Sequence, residues 1–290
     1  MTEATDTIGF IGLGQMGAPM ARRLADWPGG FVVYDVREDA VRPLAEAGAR
    51  PAASVAEVAR SADIISVMVR DDDQVGDVVR AIAAATAGRR VVVAVHSTIM
   101  ADTAPALAAE FAPAGIGVID APVSGGFMGA QDGRLAVMVG GPAHIFERCR
   151  EPFGRWANLV LHMGEVGAGT RAKLARNLLH FVSFTAAAEA QRLAEAAELD
   201  LRKLAKVVRH SDAVTGGAGS IMLRPTTAPL AADDPLTGIL EHVRDLGEKD
   251  LALALRLGAE LGVDLPLARI ALERFGAGLG LPAGPREEQG

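Results

Sequence analysis

A lysine and an asparagine four residues apart are the side chains in this sequence best suited to proton transfer. Lys173 and Asn177 follow the glycine-rich run 164–169, and their spacing places both on one face of a helix near its start. The helix dipole disfavours an ammonium group there, and burial against a cofactor would disfavour it further. Both effects lower the pKa of the lysine toward values useful for acid–base chemistry. The alternative is a solvated cationic face, because Arg171 and Arg176 lie in the same segment.

A second segment is suited to binding an anion. Ser124, Gly125 and Gly126 come shortly after a predicted strand that ends at Asp120. A serine hydroxyl and the backbone N–H groups of a glycine turn can be directed together at a substrate carboxylate. In doubly wound sheets the carboxyl ends of strands line the ligand crevice. The alternative is a connection that needs glycine only for its positive φ angles, and this segment alone does not decide between the two.

A glycine-rich loop near the amino end has the spacing that a dinucleotide pyrophosphate requires. Gly12 permits a tight turn out of a strand, Gly14 lets backbone N–H groups approach the phosphates, and Gly17 allows close contact between helix and sheet. The amino end of the following helix adds partial positive charge. Such turns also occur for purely geometric reasons. The predicted cofactor-binding residues of this loop are Gly12, Leu13, Gly14, Gln15, Met16 and Gly17.

An acidic residue ends the second predicted strand. Asp35 lies 23 residues beyond Gly12, where a carboxylate accepts hydrogen bonds from the adenosine ribose. The same carboxylate repels a 2′-phosphate, which favours NAD over NADP as the cofactor. Arg37 is able to receive such a phosphate, so NADP is the less favoured alternative. Asp35 is also a candidate N-cap for a helix beginning near Glu38, and the two roles are compatible.

Composition excludes several classes of protein. A net charge of −7 gives the chain no general attraction for nucleic acid or for an anionic membrane surface. The single cysteine, Cys149, rules out an internal disulfide and fits a reducing cytoplasm. The six histidines have no metal-like spacing, so we predict no metal site. The first residues do not form a signal peptide pattern, and no apolar run approaches the ~20 residues that span a bilayer. We therefore expect a cytoplasmic protein.

The hydrophobic pattern changes character near residue 165. Before it, short apolar runs alternate with amphipathic segments, which is typical of βαβ units in a doubly wound α/β sheet. Beyond it, apolar residues recur at helical spacing, and Gly216, Gly217 and Gly219 mark a break between helices. We predict two domains, 1–165 and 166–290, with a tail frayed from about residue 280. The predicted strands are 8–12, 31–34, 64–69, 91–94, 117–120, 135–140 and 159–162, and the predicted later helices are 169–199, 236–261 and 267–275.

Four segments together resemble the β-hydroxyacid dehydrogenase family, which includes 3-hydroxyisobutyrate dehydrogenases and tartronate semialdehyde reductases. They are 12–21, 120–126, 164–177 and 249–251, and the resemblance extends over nearly the whole chain. It implies a Rossmann-like domain joined by a long helix to an all-helical domain that forms homodimers or homotetramers. It also implies NAD(P)-dependent hydride transfer to or from a small β-hydroxy acid or its semialdehyde.

The resemblance also implies roles for individual residues. Lys173 would be the acid/base lysine, and Asn177 would hold the substrate and the lysine in register. Ser124, Gly125 and Gly126 would bind the substrate carboxylate. The residues implied for the nicotinamide side of the cofactor are Met68, Val69, Gln74, Thr98 and Lys249.

Departures from the family pattern leave the substrate open. Arg134 and Ala136 stand where the family usually has threonines, and the region 211–249 differs from common members. One alternative is an NADPH-dependent semialdehyde or imine reductase of the same fold, although imine reductases usually have another residue in place of Lys173. A decarboxylating sugar-phosphate dehydrogenase would need a basic cluster that we do not find. The alternative from another class is a non-catalytic dinucleotide-binding or scaffold protein, which intact Lys173 and Asn177 disfavour.

Overall fold

The computed structural model describes residues 5–86, 88–231 and 233–281. Its chain divides into two compact units, Met1–Arg176 and Asn177–Gly290. The division falls after residue 176, inside a long helix, whereas the sequence places the boundary after residue 165. The boundary after residue 165 stays a prediction. Most of the tail predicted to be frayed, from residue 282 onward, lies outside the described residues.

Strands and helices alternate through the first unit, as the hydrophobic pattern predicts. The helices begin where the strand runs end, and several start at side chains that cap them; Ser54, for example, accepts a hydrogen bond from the backbone N–H of Glu57. The elements are β1 Ile8–Ile11, α1 Gly17–Arg22, β2 Phe31–Tyr34, α2 Glu38–Glu46, β3 Arg50–Pro51, α3 Val55–Ser61, β4 Ile64–Val67, α4 Asp72–Ala85, β5 Val91–Val95, α5 Thr103–Phe111, β6 Ile116–Asp120, β7 Val123–Ser124, α6 Gly126–Asp132, β8 Leu135–Gly140, α7 Ala143–Phe153 and β9 Ala157–Gly164.

These strands form one mostly parallel sheet in the order β3-β2-β1-β4-β5-β6-β8-β7, with β9 paired to β8. The chain starts at β1 in the middle, extends to β2 and β3 on one side, and returns to β4 on the other side. The switch point of this doubly wound sheet therefore lies between β1 and β4, where ligands of such sheets bind. The carboxyl ends of β1, β4, β5 and β6 face that crevice.

One side of the sheet departs from the parallel pairing that βαβ units produce. Strand β8 runs antiparallel to β6 and β7, and β9 then runs parallel to β8. An apolar run indicates a buried strand but carries no information about its direction. The short strands β3 and β7 also escaped prediction, because two residues are too few to show an alternating pattern.

Two layers of apolar side chains cover the sheet. Successive residues of a strand point to opposite faces, so each central strand contributes to both layers. On β4, Ile64 belongs to one layer and Ile65 and Val67 belong to the other, and all three are buried. This two-sided burial explains why the strands appear in the sequence as continuous apolar runs.

Helices make up the second unit, together with the helix that enters it. They are α8 Ala168–Ala196, α9 Leu201–Thr215, α10 Thr237–Leu261 and α11 Pro266–Gly278, and the predicted break after α9 begins at Gly216, whose φ is +88°. Buried Glu189 on α8 accepts hydrogen bonds from the backbone N–H groups of Leu267 and Ala268, at 2.8 and 3.1 Å. The Glu189 carboxylate thus pairs with backbone N–H groups at the amino end of α11 that have no partner within that helix. Among the described residues, no helix combines the length and apolar character needed to cross a membrane.

A buried histidine follows β5. The His96 ring lies 2.7 Å from the Ala121 carbonyl oxygen through Nδ1 and 3.0 Å from Ser66 Oγ through Nε2. Because a carbonyl oxygen only accepts, Nδ1 carries the proton and Nε2 accepts from the serine hydroxyl. Burial lowers the pKa of His96 to about 4, and the hydrogen bond to the Ala121 carbonyl opposes this shift without cancelling it. The surrounding rings belong to Phe10, Phe153 and Trp156.

We predict that His96 makes the fold sensitive to acid. In the unfolded chain His96 takes up a proton near pH 6.5, whereas in the folded chain it does so only near pH 4. The contribution of neutral His96 to the free energy of unfolding is therefore complete above pH 6.5 and is lost as the pH falls toward 4. Between pH 7 and pH 5 the contribution to the free energy of unfolding should fall by about 2 kcal/mol. Urea unfolding of the unmodified protein and His96→Gln at several pH values measures the difference. His210→Gln, at an exposed histidine, is the control, and a His96→Gln protein with the pH dependence of that control would contradict the prediction.

Candidate active site

The glycine loop between β1 and α1 combines one crowded turn with one open position. Gly12 has a φ of +93°, and a side chain there would collide with the backbone carbonyl of Met68. A side chain at Gly17 would collide with the Gly12 carbonyl. Nothing lies within 4 Å of the position that a Cβ would occupy at Gly14. The loop is therefore closed toward the sheet and open at Gly14, as a cradle for a pyrophosphate must be.

Asp35 holds this loop from the end of β2. Its Oδ2 accepts a hydrogen bond from the backbone N–H of Leu13 at 2.7 Å, and its Oδ1 accepts one from the N–H of Arg37 at 2.9 Å. The Arg37 guanidinium is exposed, with its Nε 3.5 Å from the Asp35 carboxylate. The N-cap of α2 is Arg37, without a side-chain cap, so the capping role considered for Asp35 is not the one it has. Gln15 is exposed and Met16 is half-buried at the start of α1.

A serine outside the predicted site residues joins the carboxyl ends of β4 and β5. Ser97 donates from Oγ to the Val69 carbonyl at 2.7 Å and lies 3.0 Å from the Val69 N–H. Met68, beside it, donates its N–H to Ile11 at the end of β1. Parallel strands end at one edge of a sheet, so Met68 and Val69 lie beside the glycine loop. Gln74 accepts the Arg70 N–H at the start of α4, and Thr98 is exposed after β5.

Lys173 is a buried cation, with 9% of its surface exposed. Its Nζ donates a hydrogen bond to the Val123 carbonyl at 2.6 Å. Burial lowers the pKa of this ammonium group below its usual range, and the positive charge of Arg176 lowers it further. The solvated-face alternative is therefore wrong for Lys173, although Arg171 and Arg176 are exposed on the same helix.

The segment predicted to bind an anion begins one residue after Val123, whose carbonyl Lys173 contacts. Ser124 follows Val123 and is half-buried, whereas Gly125 and Gly126 are exposed with φ angles of +132° and +65°. Both glycines are thus required by backbone conformation, and their N–H groups belong to an exposed turn next to the lysine contact. Arg134 points its guanidinium at Asp132, 2.7 Å away.

Two further predicted residues belong to the second unit. Asn177 is half-buried on α8, one helical turn beyond Lys173. Lys249 is exposed on α10 and forms an ion pair with Asp250 at 3.2 Å. In the described parts of the chain, His, Cys, Asp and Glu side chains form no group of three or more that could hold a metal ion.

The residues around the glycine loop fit a nicotinamide dinucleotide. The open position at Gly14 accommodates phosphates, and the acidic residue at the end of β2 is the usual partner of the adenosine ribose. Lys173 and Ser124 provide a proton-transfer group and a polar turn at the neighbouring strand end. A buried amine beside a hydroxyl can take part in proton transfer next to a bound dinucleotide.

Comparison with known proteins identifies the family. Residues 7–164 match the model of the NAD-binding domain of 6-phosphogluconate dehydrogenase, and residues 167–283 match the NAD-binding domain of NADP-dependent 3-hydroxyisobutyrate dehydrogenase. An uncharacterized oxidoreductase of Mycobacterium tuberculosis is 60% identical, over 96% of this chain and 95% of its own length. Two Pseudomonas aeruginosa proteins, a 3-hydroxyisobutyrate dehydrogenase and an NAD-dependent L-serine dehydrogenase, are 34% and 33% identical, each over 92% of this chain and 90% of its own length.

A solved structure shares the whole fold. The crystal structure of a Mycobacterium avium protein superimposes with a TM-score of 0.92 at 53% identity, covering 96% of this chain and 99% of that one. The family models cover the first unit and most of the second, in the order that the four sequence segments indicated. The chain belongs to the β-hydroxyacid dehydrogenase family of NAD(P)-dependent oxidoreductases.

Proposed function

We propose that this protein transfers a hydride between NAD and a small β-hydroxy acid or its semialdehyde, with Lys173 as general acid and base. The observation that carries the proposal is the buried ammonium group of Lys173, bonded to the Val123 carbonyl one residue before Ser124. Burial lowers the pKa of this lysine. A group that must both accept and return a proton needs a pKa lowered in this way.

The chain's own residues handle the proton and the carboxylate. The bound nicotinamide supplies the acceptor or donor of the hydride. In oxidation, neutral Lys173 accepts the proton of the substrate hydroxyl; in reduction, its ammonium form returns a proton to the developing alkoxide. The Val123 carbonyl holds Nζ in place in the ammonium state. Positive charge beside the reacting oxygen then stabilises the transition state of reduction.

The substrate is anchored by its carboxylate in this proposal. Ser124 and the backbone N–H groups of Gly125 and Gly126 receive the carboxylate, and Asn177 keeps the substrate and Lys173 in register. The Pseudomonas relatives carry the names of 3-hydroxyisobutyrate and L-serine dehydrogenases. Both named substrates are short acids with a hydroxyl on the β-carbon, which is the class we propose here.

NAD is the proposed cofactor because of the charge at the end of β2. Asp35 presents a carboxylate where NADP carries its 2′-phosphate, and its hydrogen bonds to Leu13 and Arg37 hold it there. Arg37 lies close to that carboxylate and is partly neutralised by it. Met68, Val69, Gln74 and Thr98 are the residues we propose for the nicotinamide side. Lys249 is proposed beside the cofactor.

A second copy of the chain is the proposed partner. Helix α8 exposes large apolar side chains beyond Lys173, including Leu178 at 69% and Phe181 at 58% exposure. These positions are three residues apart, so they lie on neighbouring parts of one helical face, and Val182 and Phe184 are exposed beside them. An apolar face of this kind marks an association surface in a water-soluble protein. We propose a homodimer, or a homotetramer built from such dimers, that covers α8.

Initial-rate measurements with a panel of substrates test the reaction class. Purified protein is assayed by the absorbance of reduced nicotinamide with NAD or NADP and 3-hydroxyisobutyrate, 3-hydroxypropionate, serine, 4-hydroxybutyrate or glycerate, and with semialdehydes in reverse. We expect turnover with NAD on at least one acid. Tight NAD binding without turnover on any pair would instead favour the non-catalytic alternative, and turnover only of semialdehydes or imines with NADPH would favour the reductase alternative.

Removing the amine of Lys173 should abolish proton transfer without disturbing the cofactor. We predict that Lys173→Met lowers kcat by at least about 100-fold and leaves the Kd for NAD nearly unchanged. Steady-state kinetics and NAD titration by fluorescence measure both effects. Lys206→Met, at an exposed lysine of α9, is the matched control with normal turnover. Near-normal turnover of Lys173→Met would remove this lysine from the mechanism.

Neutralising Asp35 should relax the choice of cofactor. Asp35→Asn keeps an acceptor for the Leu13 N–H but removes the charge that repels a 2′-phosphate. We predict that the ratio of kcat/KM for NADP to kcat/KM for NAD rises at least about tenfold. Asp39→Asn, exposed on α2, is the control for a general charge effect. An unchanged ratio in Asp35→Asn would contradict this assignment.

Charges placed on the apolar face of α8 should separate the subunits. We predict that the unmodified protein has the mass of a dimer or tetramer and that the double variant Leu178→Glu with Phe181→Glu is a monomer, because burying two carboxylates at an interface is costly. Light scattering after size-exclusion chromatography measures the mass. Gln191→Glu, exposed farther along α8, is the control. A monomeric unmodified protein would refute the partner proposal.

A further inference from the structure

The start of helix α8 is attached to the sheet by a buried carboxylate that the proposed chemistry does not use. Asp120, the last residue of β6, is fully buried. Its Oδ1 accepts a hydrogen bond from the Gly167 N–H at 2.6 Å, and its Oδ2 accepts one from the Thr170 N–H at 2.5 Å. Both carboxylate oxygens are therefore engaged by backbone N–H groups at the amino end of α8, which have no partner within the helix.

The helix start lies directly against strand backbone at this point. A side chain at Gly169 would collide with the Met138 carbonyl and would lie 3.0 Å from the Asp120 carbonyl oxygen. A side chain at Gly140 would lie 2.8 Å from the Gly169 nitrogen. At these two glycines the helix backbone therefore lies directly against strand backbone. The depth and rotation of the first turn are therefore determined by backbone contact and by the two hydrogen bonds to Asp120.

Lys173 projects from the same face of the helix as these contacts. Lys173 lies four residues after Gly169 and three after Thr170, and all three are buried, whereas the neighbouring Arg171 and Leu174 are exposed. Lys173 then contacts Val123, three residues after Asp120 along the chain. The segment 120–123 thus holds α8 at two points, through the Asp120 carboxylate at the first turn and through the Val123 carbonyl at the lysine.

We infer that Asp120 is a positioning residue for Lys173: its carboxylate sets the rotation of α8 and so keeps Nζ at the Val123 carbonyl, beside Ser124. This inference rests on the proposed function of Lys173. A rotation of the helix by about 10° moves an atom about 6 Å from its axis by about 1 Å. Misplacement by about 1 Å can cost about 100-fold in rate, so a small release of the first turn is enough to impair catalysis.

A carboxylate suits this position better than an amide does. The two groups that Asp120 meets are both N–H donors, and both carboxylate oxygens accept. An asparagine of the same shape would turn its NH2 group toward one of these donors and would leave that donor unpaired. A negative charge also interacts favourably with the positive end of the α8 dipole. Asp120→Asn therefore releases one of the two attachments while changing the volume very little.

The test compares Asp120→Asn with a matched variant elsewhere. Glu189→Gln has the same chemistry, because buried Glu189 accepts from two backbone N–H groups at the start of α11. Three quantities are measured for both variants: the number of NAD-binding sites per chain, kcat per NAD-binding site with KM, and the rate at which Lys173 is acetylated by acetic anhydride, followed by mass spectrometry. Counting NAD sites separates loss of folded protein from loss of catalysis.

We expect Asp120→Asn to lower kcat per NAD-binding site at least about tenfold, with little change in the Kd for NAD. We also expect it to raise the acetylation rate of Lys173 at least about fivefold, because Nζ is no longer held at the Val123 carbonyl. Glu189→Gln should lower the midpoint of thermal unfolding but change neither kcat per NAD-binding site nor the acetylation rate of Lys173. Unchanged acetylation of Lys173 in Asp120→Asn would overturn the inference, whatever happens to turnover.

The acetylation measurement tests this inference independently of the proposed function. Faster acetylation of Lys173 with normal turnover would support the positioning by Asp120 and would show that turnover does not require Nζ at the Val123 carbonyl, whereas Lys173→Met tests the role of the amine itself. Should Asp120→Asn not fold, Asp120→Ser offers a smaller acceptor at the same place, and hydrogen exchange of the unmodified protein provides a check without substitution. Exchange of the Gly167 and Thr170 amides as fast as that of exposed loops would also overturn the inference.

Discussion

The attachment of α8 to the carboxyl end of β6 is the contact on which the candidate site depends. Asp120 accepts hydrogen bonds from two backbone N–H groups of the helix start, and glycines at 140 and 169 let the helix backbone lie against the strand backbone. The long helix leaves the first unit from this point. The rotation of its first turn, and with it the place of Lys173, depends on these few atoms.

The five residues from Asp120 to Ser124 serve a different element at almost every position. Asp120 binds the start of α8, the Ala121 carbonyl receives His96, the Pro122 carbonyl accepts the N–H of Met138, and the Val123 carbonyl receives Lys173. Ser124 then begins the exposed glycine turn. Lys173 and His96 both have their pKa lowered chiefly by burial, and each has a main-chain carbonyl as its partner.

Much of the fold could be predicted because buried strands and amphipathic helices have distinct hydrophobic periods. The strands at 31–34 and 135–140 were predicted with the observed limits, and the long helix was placed within three residues at each end. The antiparallel direction of β8 and the two-residue strands β3 and β7 were missed. Strand direction depends on the path of the connection, and pairing of two residues depends on neighbours that are distant in sequence.

The sequence by itself determined the residue types and their order: a glycine loop after a strand, an acid at the end of the next strand, a serine–glycine turn, and a lysine near a helix start. These are local patterns, because spacing and backbone conformation are set by adjacent residues. Only the tertiary structure decided that Lys173 is buried and bonded to Val123, that Ser97 joins two strand ends, and that Asp120 holds α8. Each of these contacts joins residues separated by 28 to 50 positions, and hydrogen bonds over such separations form only when the sheet brings the strand ends together.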